Sequence, residues 1–371
     1  VKFGIFPTCL GRKDAGPETY ERELIAGLCQ LPSHHEFHVF CFNDTARAAI
    51  KRSAPNLHIH TLSPNIRALA MTLDLPTKLS RLGMQAYHAT FVPAPLARTP
   101  CVFTMHDVSP FTRPEFYPFL IRHRLQGLVK RGLETAKVIL CVSENSRDTT
   151  EELFGIDPDR LVVAPHGIDP SFEPKERAAA KARVGERFGL TTPYVLYVGK
   201  LEARKNICRL LRAFNLVRSR AGSDIRLVLV GRRFWDLEDM DATISECGLQ
   251  SHVVELGYVP WEDLPYLYSA AEAFVFPSIW EGFGFPVLEA MRCGTPVITS
   301  NVSCLPEIAG GAALLVDPFS VEQIAQGILA ILGDKERAAA QAKRGLTHAA
   351  KFTWERTART TLAAYERAAS M

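Results

Sequence analysis

Two runs of residues carry the densest chemistry in this chain. The first is Glu281-Gly-Phe-Gly-Phe-Pro-Val-Leu-Glu289, just after the apolar, strand-like run AFVFPS. Gly282 and Gly284 let the backbone approach a ligand closely. Pro286 falls in the first turn of the helix that follows, where its missing N–H costs nothing. That helix start offers unpaired N–H groups and a partial positive charge to an anion. Glu289 lies one to two turns in, and its side chain leans back toward the same end. One loop and one helix thus supply two carboxylates and a set of amide donors, spaced for a polyhydroxylated ligand bearing phosphate. The plainer alternative is a helix start with two exposed glutamates.

The second run is Gly199-Lys200-Leu-Glu-Ala-Arg204-Lys205-Asn206, directly after the strand-like YVLYV. Three cations beyond a strand end can take up the charge that builds on a departing diphosphate; otherwise this is a solvated basic turn. His106-Asp107 closes the run CVFTM, where a histidine can hydrogen-bond a sugar hydroxyl or orient an acceptor, although a lone histidine is more often structural. Gly16 ends the loop after the first strand, near the start of a helix from about Pro17, where phosphate or acceptor can enter. Two D-x-D strings, Asp157-Pro158-Asp159 and Asp239-Met240-Asp241, have a spacing that metal-binding carboxylates show. The first is a proline turn leading into LVVA and the second lies in a helical stretch, so both read as structural, and no metal is expected.

Short β-branched or aromatic runs alternate with helical patterns along the whole chain. Strands are expected at 2–6, 37–42, 57–62, 101–105, 138–142 and 161–164, and again at 194–198, 225–230, 253–256, 273–277, 296–299 and 313–316. Helical stretches such as 18–31, 207–220 and 321–332 lie between them. This alternation implies two parallel sheets, each covered on both faces, in an α/β protein of two doubly wound, Rossmann-like domains. The proline-flanked stretch 169–174 reads as the linker. The expected division is a first domain at 1–172, a second at 173–352 and a terminal helix at 353–371 that can pack against either. Ligands of open α/β sheets bind beyond the carboxyl ends of the strands, at the switch point, so the chemistry is expected in loops that follow strands, in the cleft between the domains.

Composition narrows the class further. With 47% hydrophobic and 22% charged residues the 371-residue chain is ordinary globular protein, and a net charge of +3 is too small to imply nucleic-acid binding. Nine cysteines occur singly, with no C-x-x-C pair, and read as buried free thiols of a reducing compartment rather than disulfides or a zinc site. The opening VKFGIFP lacks the apolar core of a signal peptide, and no window approaches the ~18 apolar residues of a membrane span. The expectation is a soluble, cytoplasmic protein that can still rest on the inner face of a membrane. Residues 116–137 suit that contact: they mix Phe116, Tyr117, Phe119, Leu120 and Ile121 with Arg122, Arg124, Lys130, Arg131 and Lys137, as a basic amphipathic helix on anionic lipid would. A helix packed in the first domain with a solvated basic edge has the same pattern.

Lined up, these residues resemble glycosyltransferase family 4, a group of enzymes with the two-domain GT-B fold. The resemblance rests on VLYVGKLEARKNICRLLRAF, VELGYVPWEDLPYLYSAAEAFVFPS, the block from Glu281 to Glu289, and GTPVITSNVSCLPEIAGGAALLVDP, with VSENSRDTTEELFG and APHGID less specific. It covers the second domain almost end to end and the first mainly through its early loop and His106-Asp107. The resemblance implies that Lys200 and Lys205 hold a nucleotide sugar's diphosphate with Arg204 nearby, and that Glu281 lies against the donor sugar. Gly282, Phe283, Gly284 and Phe285 would surround its hydroxyls. It implies Glu289 on the ribose, Tyr258 bordering the base, His106 facing the sugar and Gly16 near the phosphates. The early loop departs from the family, with Asp14-Ala15-Gly16-Pro17 where paired glycines are common.

The same resemblance implies retention of anomeric configuration. No carboxylate nucleophile beside an acid is identifiable, as a glycosidase-like route would need, so the expected route is front-face attack with the departing phosphate as base. No cofactor is called for, because cations and a helix dipole can do what a divalent ion does elsewhere. The expected activity is a hexosyl transfer to a saccharide or lipid-linked saccharide in polysaccharide synthesis. Likeness to bacterial polysaccharide mannosyltransferases points to GDP-mannose first and UDP-hexose next. A sugar-nucleotide epimerase, a non-catalytic nucleotide-sugar binder and, more remotely, a glycan phosphorylase are the rival readings.

Overall fold

The computed structural model describes the chain except residues 13–14, 51–52, 222–223 and 235–239, and leaves aside the side chains of Ala15 and Ala221. Asp14 and Asp239, noted above, therefore lie outside the described residues. The chain divides into two units: Val1–Gly167 with Thr353–Met371, and Ile168–Phe352.

Unit 1 holds seven strands: β1 (Lys2–Phe6), β2 (Glu36–Cys41), β3 (Leu57–Thr61), β4 (Ala86–Ala89), β5 (Cys101–Met105), β6 (Ala136–Cys141) and β7 (Leu161–Val163). They pair in parallel in the order β3-β2-β1-β4-β5-β6-β7. Unit 2 holds six: β8 (Tyr194–Val198), β9 (Arg226–Val230), β10 (Val253–Gly257), β11 (Ala273–Phe276), β12 (Val297–Ser300) and β13 (Leu314–Val316). They too are parallel, in the order β10-β9-β8-β11-β12-β13. Several central strands are buried at every position, as in YVLYV of β8 and CVFTM of β5. That is why they read as unbroken apolar runs: a sheet covered by helices on both faces has no solvent side to mark by alternation.

In each sheet the strand order reverses once, between β1 and β4 and between β8 and β11. At such a point the two loops that leave neighbouring carboxyl ends turn opposite ways and open a crevice. Strand β4 was not expected from the sequence. It is only Ala-Tyr-His-Ala, with no β-branched residue, yet all four are buried beside β1 and β5.

The boundary also differs from the expected one, at 167 rather than 172. Phe172 is fully buried and packs edge-on against Trp261 and Tyr268 of unit 2, so the proline-flanked stretch is the first layer of that unit and not a free linker. The helix Trp354–Ser370 belongs to unit 1. Thr353 caps it by accepting from Arg356 N, and Trp354, Thr357, Ala358, Thr361, Ala364, Tyr365 and Ala368 form its buried face. Small residues allow close packing there: a Cβ on Gly27 of the helix Ala15–Gln30 would lie 3.0 Å from Trp354 O and 3.1 Å from Ala358 Cβ. Tyr365 Oη meets His88 Nδ1 at 2.8 Å, His88 Nε2 meets Thr104 Oγ1 at 2.7 Å, and Thr104 Oγ1 meets Tyr20 Oη at 2.8 Å. This buried chain ties the last helix through β4 and β5 to the helix Ala15–Gln30.

Candidate functional site

Strands β8 and β11 flank the switch point of unit 2, and the two runs singled out in the sequence leave their carboxyl ends. After β8 the backbone turns sharply at Gly199 (φ 153°), whose carbonyl oxygen would lie 1.9 Å from any Cβ on Gly231 (φ 138°). Only glycine fits at Gly231, and the two loops run backbone to backbone. A short 3-10 turn, Ala203–Lys205, then ends on Asn206 in the left-handed region (φ 66°) before the helix Ile207–Ala221. Asn206 holds this conformation because its amide donates to Pro277 O at 3.0 Å and Pro318 O at 2.6 Å, fastening the β8 loop to the loops after β11 and β13.

This turn delivers Arg204 and Lys205 to Glu281. Lys205 Nζ donates to Glu281 Oε1 at 2.5 Å and Arg204 Nη1 donates to Oε2 at 3.1 Å. Arg204 Nη1 also lies 2.6 Å from Trp280 O, and its Nη2 donates to Glu202 Oε1 at 2.6 Å. Ser278 Oγ donates to Glu281 Oε1 at 2.6 Å. Burial alone would raise the Glu281 carboxyl, but Lys205 and Arg204 outweigh it and hold it at about 2, so it is ionised at neutral pH. Burial and then Arg204 push Lys205 below the usual lysine range, against the pull of Glu281. Two cations face two carboxylates here, Arg204 and Lys205 against Glu202 and Glu281. Two of the three cations expected from the sequence are thus balanced by carboxylates.

The loop after β11 continues through Gly282 and buried Phe283 to Gly284 (φ 96°), which caps the helix Phe285–Arg292. Cys304 Sγ lies 3.2 Å from both Glu281 O and Phe283 O, and Glu281 N donates to Ser303 Oγ at 3.2 Å, so neighbouring backbone braces the loop. Phe283 also packs edge-on against Phe285 and Phe352. In that helix Glu289 is buried, its Oε2 accepting from Tyr268 Oη at 2.9 Å, and burial pushes its carboxyl up to about 7. Lys200 is exposed, with Nζ 5.1 Å from the ring centre of Phe234. Tyr258, just past β10, is 63% exposed beneath the Arg232 guanidinium at 5.4 Å.

In unit 1 the corresponding loops follow β1, β4 and β5. His106 is half-buried, stacked on Phe91 with ring centres 4.0 Å apart and edge-on to Tyr20 at 4.7 Å. Its Nε2–H donates to Thr90 O at 2.9 Å, which leaves the Nδ1 lone pair as an acceptor. Burial lowers its pKa to about 3, so the ring is neutral. Gly16 lies inside the first turn of the helix Ala15–Gln30 rather than just before it, because the helix begins earlier than the expected start near Pro17. The same helix carries Glu21, fully buried, which accepts from Thr8 N at 2.6 Å, Cys9 N at 2.8 Å and Thr90 Oγ1 at 2.6 Å. Burial raises it to about 7. Glu21 fixes the loop after β1; sequence reasoning missed it because a glutamate within a helix reads as solvent-facing.

Asn206, Ser278, Ser303 and Cys304 were missed in unit 2. All four stand inside the quoted motifs, and the need of a buried carboxylate for a donor was the available signal for Ser278. Of the D-x-D residues, Asp241 pairs with Arg233 at 2.7 Å and Asp157 Oδ1 accepts from Asp159 N at 2.9 Å, both local structural contacts. Among the described residues no helix is long and apolar enough to cross a membrane. The helix Phe119–Thr135 does expose Phe119 (64%) and Leu120 (79%) beside Arg122.

Comparison with known proteins agrees with this architecture. The family model for glycosyl transferases group 1 matches residues 180–348, and that for Glycosyltransferase Family 4 matches residues 15–172. The O-antigen chain mannosyltransferase B of Escherichia coli is 38% identical over 283 residues, which cover 76% of this chain and 74% of that protein. The serotype-specific mannosyltransferase WbdA of Escherichia coli is 28% identical over 86% of this chain, which spans only 39% of that longer protein. Among solved structures, sucrose-phosphate synthase from Thermosynechococcus elongatus superposes with a TM-score of 0.78 at 21% identity, covering 99% of this chain and 98% of that one. Both matched models, the extent of the 38% relative and the shared double-sheet fold lead to one assignment: the chain belongs to glycosyltransferase family 4 and is a glycosyltransferase of the GT-B fold.

Proposed function

We propose that this chain is a retaining, metal-independent mannosyltransferase that moves mannose from GDP-mannose to a saccharide or lipid-linked saccharide acceptor in cell-surface polysaccharide synthesis. The observation that carries the chemistry is the buried Lys205–Glu281–Arg204 cluster at the unit 2 switch point, beside the glycine-capped start of the helix Phe285–Arg292. The choice of mannose is supported by the likeness to the O-antigen chain mannosyltransferase B.

In this reading Lys200, Arg204 and Lys205 hold the diphosphate, while Glu281 and the backbone of Gly282, Phe283, Gly284 and Phe285 meet the sugar hydroxyls. Glu289 takes the ribose and Tyr258 borders the base. Gly16 lies near the phosphates, and the neutral His106 accepts a hydrogen bond from a sugar hydroxyl at Nδ1. The bond from the anomeric carbon to phosphate oxygen breaks with both electrons leaving on the phosphate. The acceptor oxygen bonds the same face of that carbon, and its proton passes to the departing phosphate. Because Arg204 and Lys205 start neutralised, incoming phosphate must share them with Glu202 and Glu281, and the helix end and Lys200 add the remaining positive field. The enzyme works on the cytoplasmic face of a membrane, touching anionic lipid through Phe119, Leu120 and the neighbouring basic residues.

The test is transfer from GDP-mannose, GDP-fucose, UDP-glucose and UDP-galactose to a lipid-linked oligosaccharide, with and without EDTA, at a temperature well below unfolding. Transfer from GDP-mannose with the anomeric configuration kept and a rate untouched by EDTA is expected. Turnover of UDP-hexoses alone would reassign the donor, and an absolute need for a divalent ion would overturn the charge argument.

A further inference from the structure

The outer pair of strands in unit 1 gathers imidazoles on one face of the sheet. Strand β2 reads Glu36-Phe-His38-Val-Phe-Cys and β3 reads Leu-His58-Ile-His60-Thr, and in their parallel register His38 is partnered with His58 and Phe40 with His60. Side chains two apart on a strand share a face, so Glu36, His38, His58 and His60 lie together, on the strand edge farthest from β5 and His106. The rings of His38 and His58 stack at 4.6 Å, and those of His38 and His60 at 5.2 Å.

The hydrogen bonds say which nitrogen atoms are free to bind. His38 Nδ1 and His60 Nε2 are 2.9 Å apart and share one proton. With that proton on His38 Nδ1, His38 Nε2 carries a lone pair and faces Glu36 Oε2 at 3.4 Å, while His58 Nε2 stands 3.7 Å from the same oxygen. The ligand-type atoms of Glu36, His38 and His58 all lie within 4.8 Å of one another. Ligands at about 2.0–2.1 Å around a tetrahedral zinc ion stand roughly 3.4 Å apart, so two of the contacts already match and one must close. His38 is buried and fixed, whereas His58 and Glu36 have 43% and 45% of their side chains exposed and can adjust. Lys2 Nζ, 3.9 Å from Glu36 Oε2 with 45% of its side chain exposed, is the competing cation.

We propose that Glu36, His38 and His58 form a binding site for a zinc-type divalent cation, with water in the fourth position and His60 orienting the His38 ring through its Nδ1–H. Ring orientation by a second hydrogen-bonded group is the usual companion of an imidazole ligand. Imidazole and carboxylate donors favour zinc, cobalt or nickel over magnesium or calcium. The ion would clamp the edge strand β3 to β2. It sits in the other unit from Lys205 and Glu281 and has no part in glycosyl transfer.

The experiment uses the full, tag-free chain stripped with EDTA and titrated with Zn2+ by calorimetry, with thermal unfolding followed in parallel. One equivalent is expected, bound with Kd on the order of micromolar or tighter, together with a rise in Tm. His58→Gln and Glu36→Gln, at half-exposed positions, should leave the metal-free Tm unchanged yet weaken Zn2+ binding by at least about tenfold and abolish the Tm rise. Co2+ should give the visible band of a tetrahedral nitrogen and oxygen site without thiolate charge transfer, which separates this site from the nine cysteines. Equal affinity in wild type and both variants, or a thiolate spectrum, overturns the proposal.

Discussion

The ammonium of Lys205 lies 2.5 Å from Glu281 Oε1, and both side chains are buried. A pair withdrawn from water in this way is costly to break on one side only: without Lys205, Glu281 keeps Arg204 and Ser278 but loses its nearest cation. Lys205→Ala is expected to cost about 3 kcal/mol of stability and to lower kcat by roughly 10²–10³. Lys205→Met with Glu281→Gln should recover most of that stability, since no lone charge remains, but none of the rate. Urea unfolding beside steady-state kinetics checks this, and recovery of turnover in the double variant would make the pair structural only.

Glu289 gives a pH signature. Its folded-state pKa of about 7 lies above the ordinary glutamate value of 4.5, so the folded protein holds the proton more tightly than the unfolded chain. The stability contributed by this group is full below about pH 4.5, is lost as pH rises to about 7 and is constant beyond. Glu289→Gln keeps the Tyr268 contact and removes the titration. Its loss of stability between pH 5 and pH 8 should be smaller than the wild type's by up to roughly 3 kcal/mol. Unfolding at the two pH values measures it. Glu21 titrates in the same sense and leaves part of the slope in place.

His106 should behave in the opposite sense. Its pKa is lowered by burial to about 3, so its contribution is present above the unfolded value near 6.5 and is lost as pH falls toward 3. Across pH 5–8 it stays neutral and acts through one hydrogen bond. His106→Gln should therefore lower kcat/KM about tenfold without moving the profile along the pH axis. Disappearance of an acid limb in the variant would show instead that His106 carries a proton in the reaction.

Gly231→Ala tests the close passage of the two loops. The new Cβ would meet Gly199 O at 1.9 Å, in a φ region that side chains rarely adopt, and backbone cannot give way as a flexible side chain can. A loss of about 3 kcal/mol or more is expected. At Gly199 the nearest atom to an added Cβ is the Tyr197 hydroxyl at 2.9 Å, the far end of a side chain, so Gly199→Ala should be milder. Denaturant midpoints of the two variants decide the order.

Phe119→Ser with Leu120→Ser should reduce co-sedimentation with vesicles of anionic phospholipid while leaving transfer to a short soluble acceptor unchanged. Both side chains are largely exposed on the helix Phe119–Thr135. Binding equal to wild type would remove this helix from the membrane reading.

Reading the chain alone recovered the strands whose apolar runs are unbroken, because burial on both faces writes itself into composition. It failed at β4, where Ala86 and Ala89 are buried but carry almost no signal, and the strand exists because β1 and β5 hold it. At the candidate site, Lys205, Arg204 and Glu281 were found by their spacing after strand ends. Their mutual pairing was not, since a distance of 76 residues in sequence says nothing of contact. Glu21 and Asn206 were invisible for a related reason: each matters through hydrogen bonds to backbone atoms, and backbone atoms leave no mark on residue type.

The last helix, joined to unit 1 through Tyr365 and His88, makes the order of assembly run against the order of synthesis. Residues of unit 2 are consecutive, so that unit can finish once Phe352 has left the ribosome. Unit 1 must wait with the face of the helix Ala15–Gln30 bare until the helix Trp354–Ser370 follows. A chain cut after residue 352 would thus carry a completed second unit and an unfinished first one, the reverse of the usual pattern in which the earlier half is finished first.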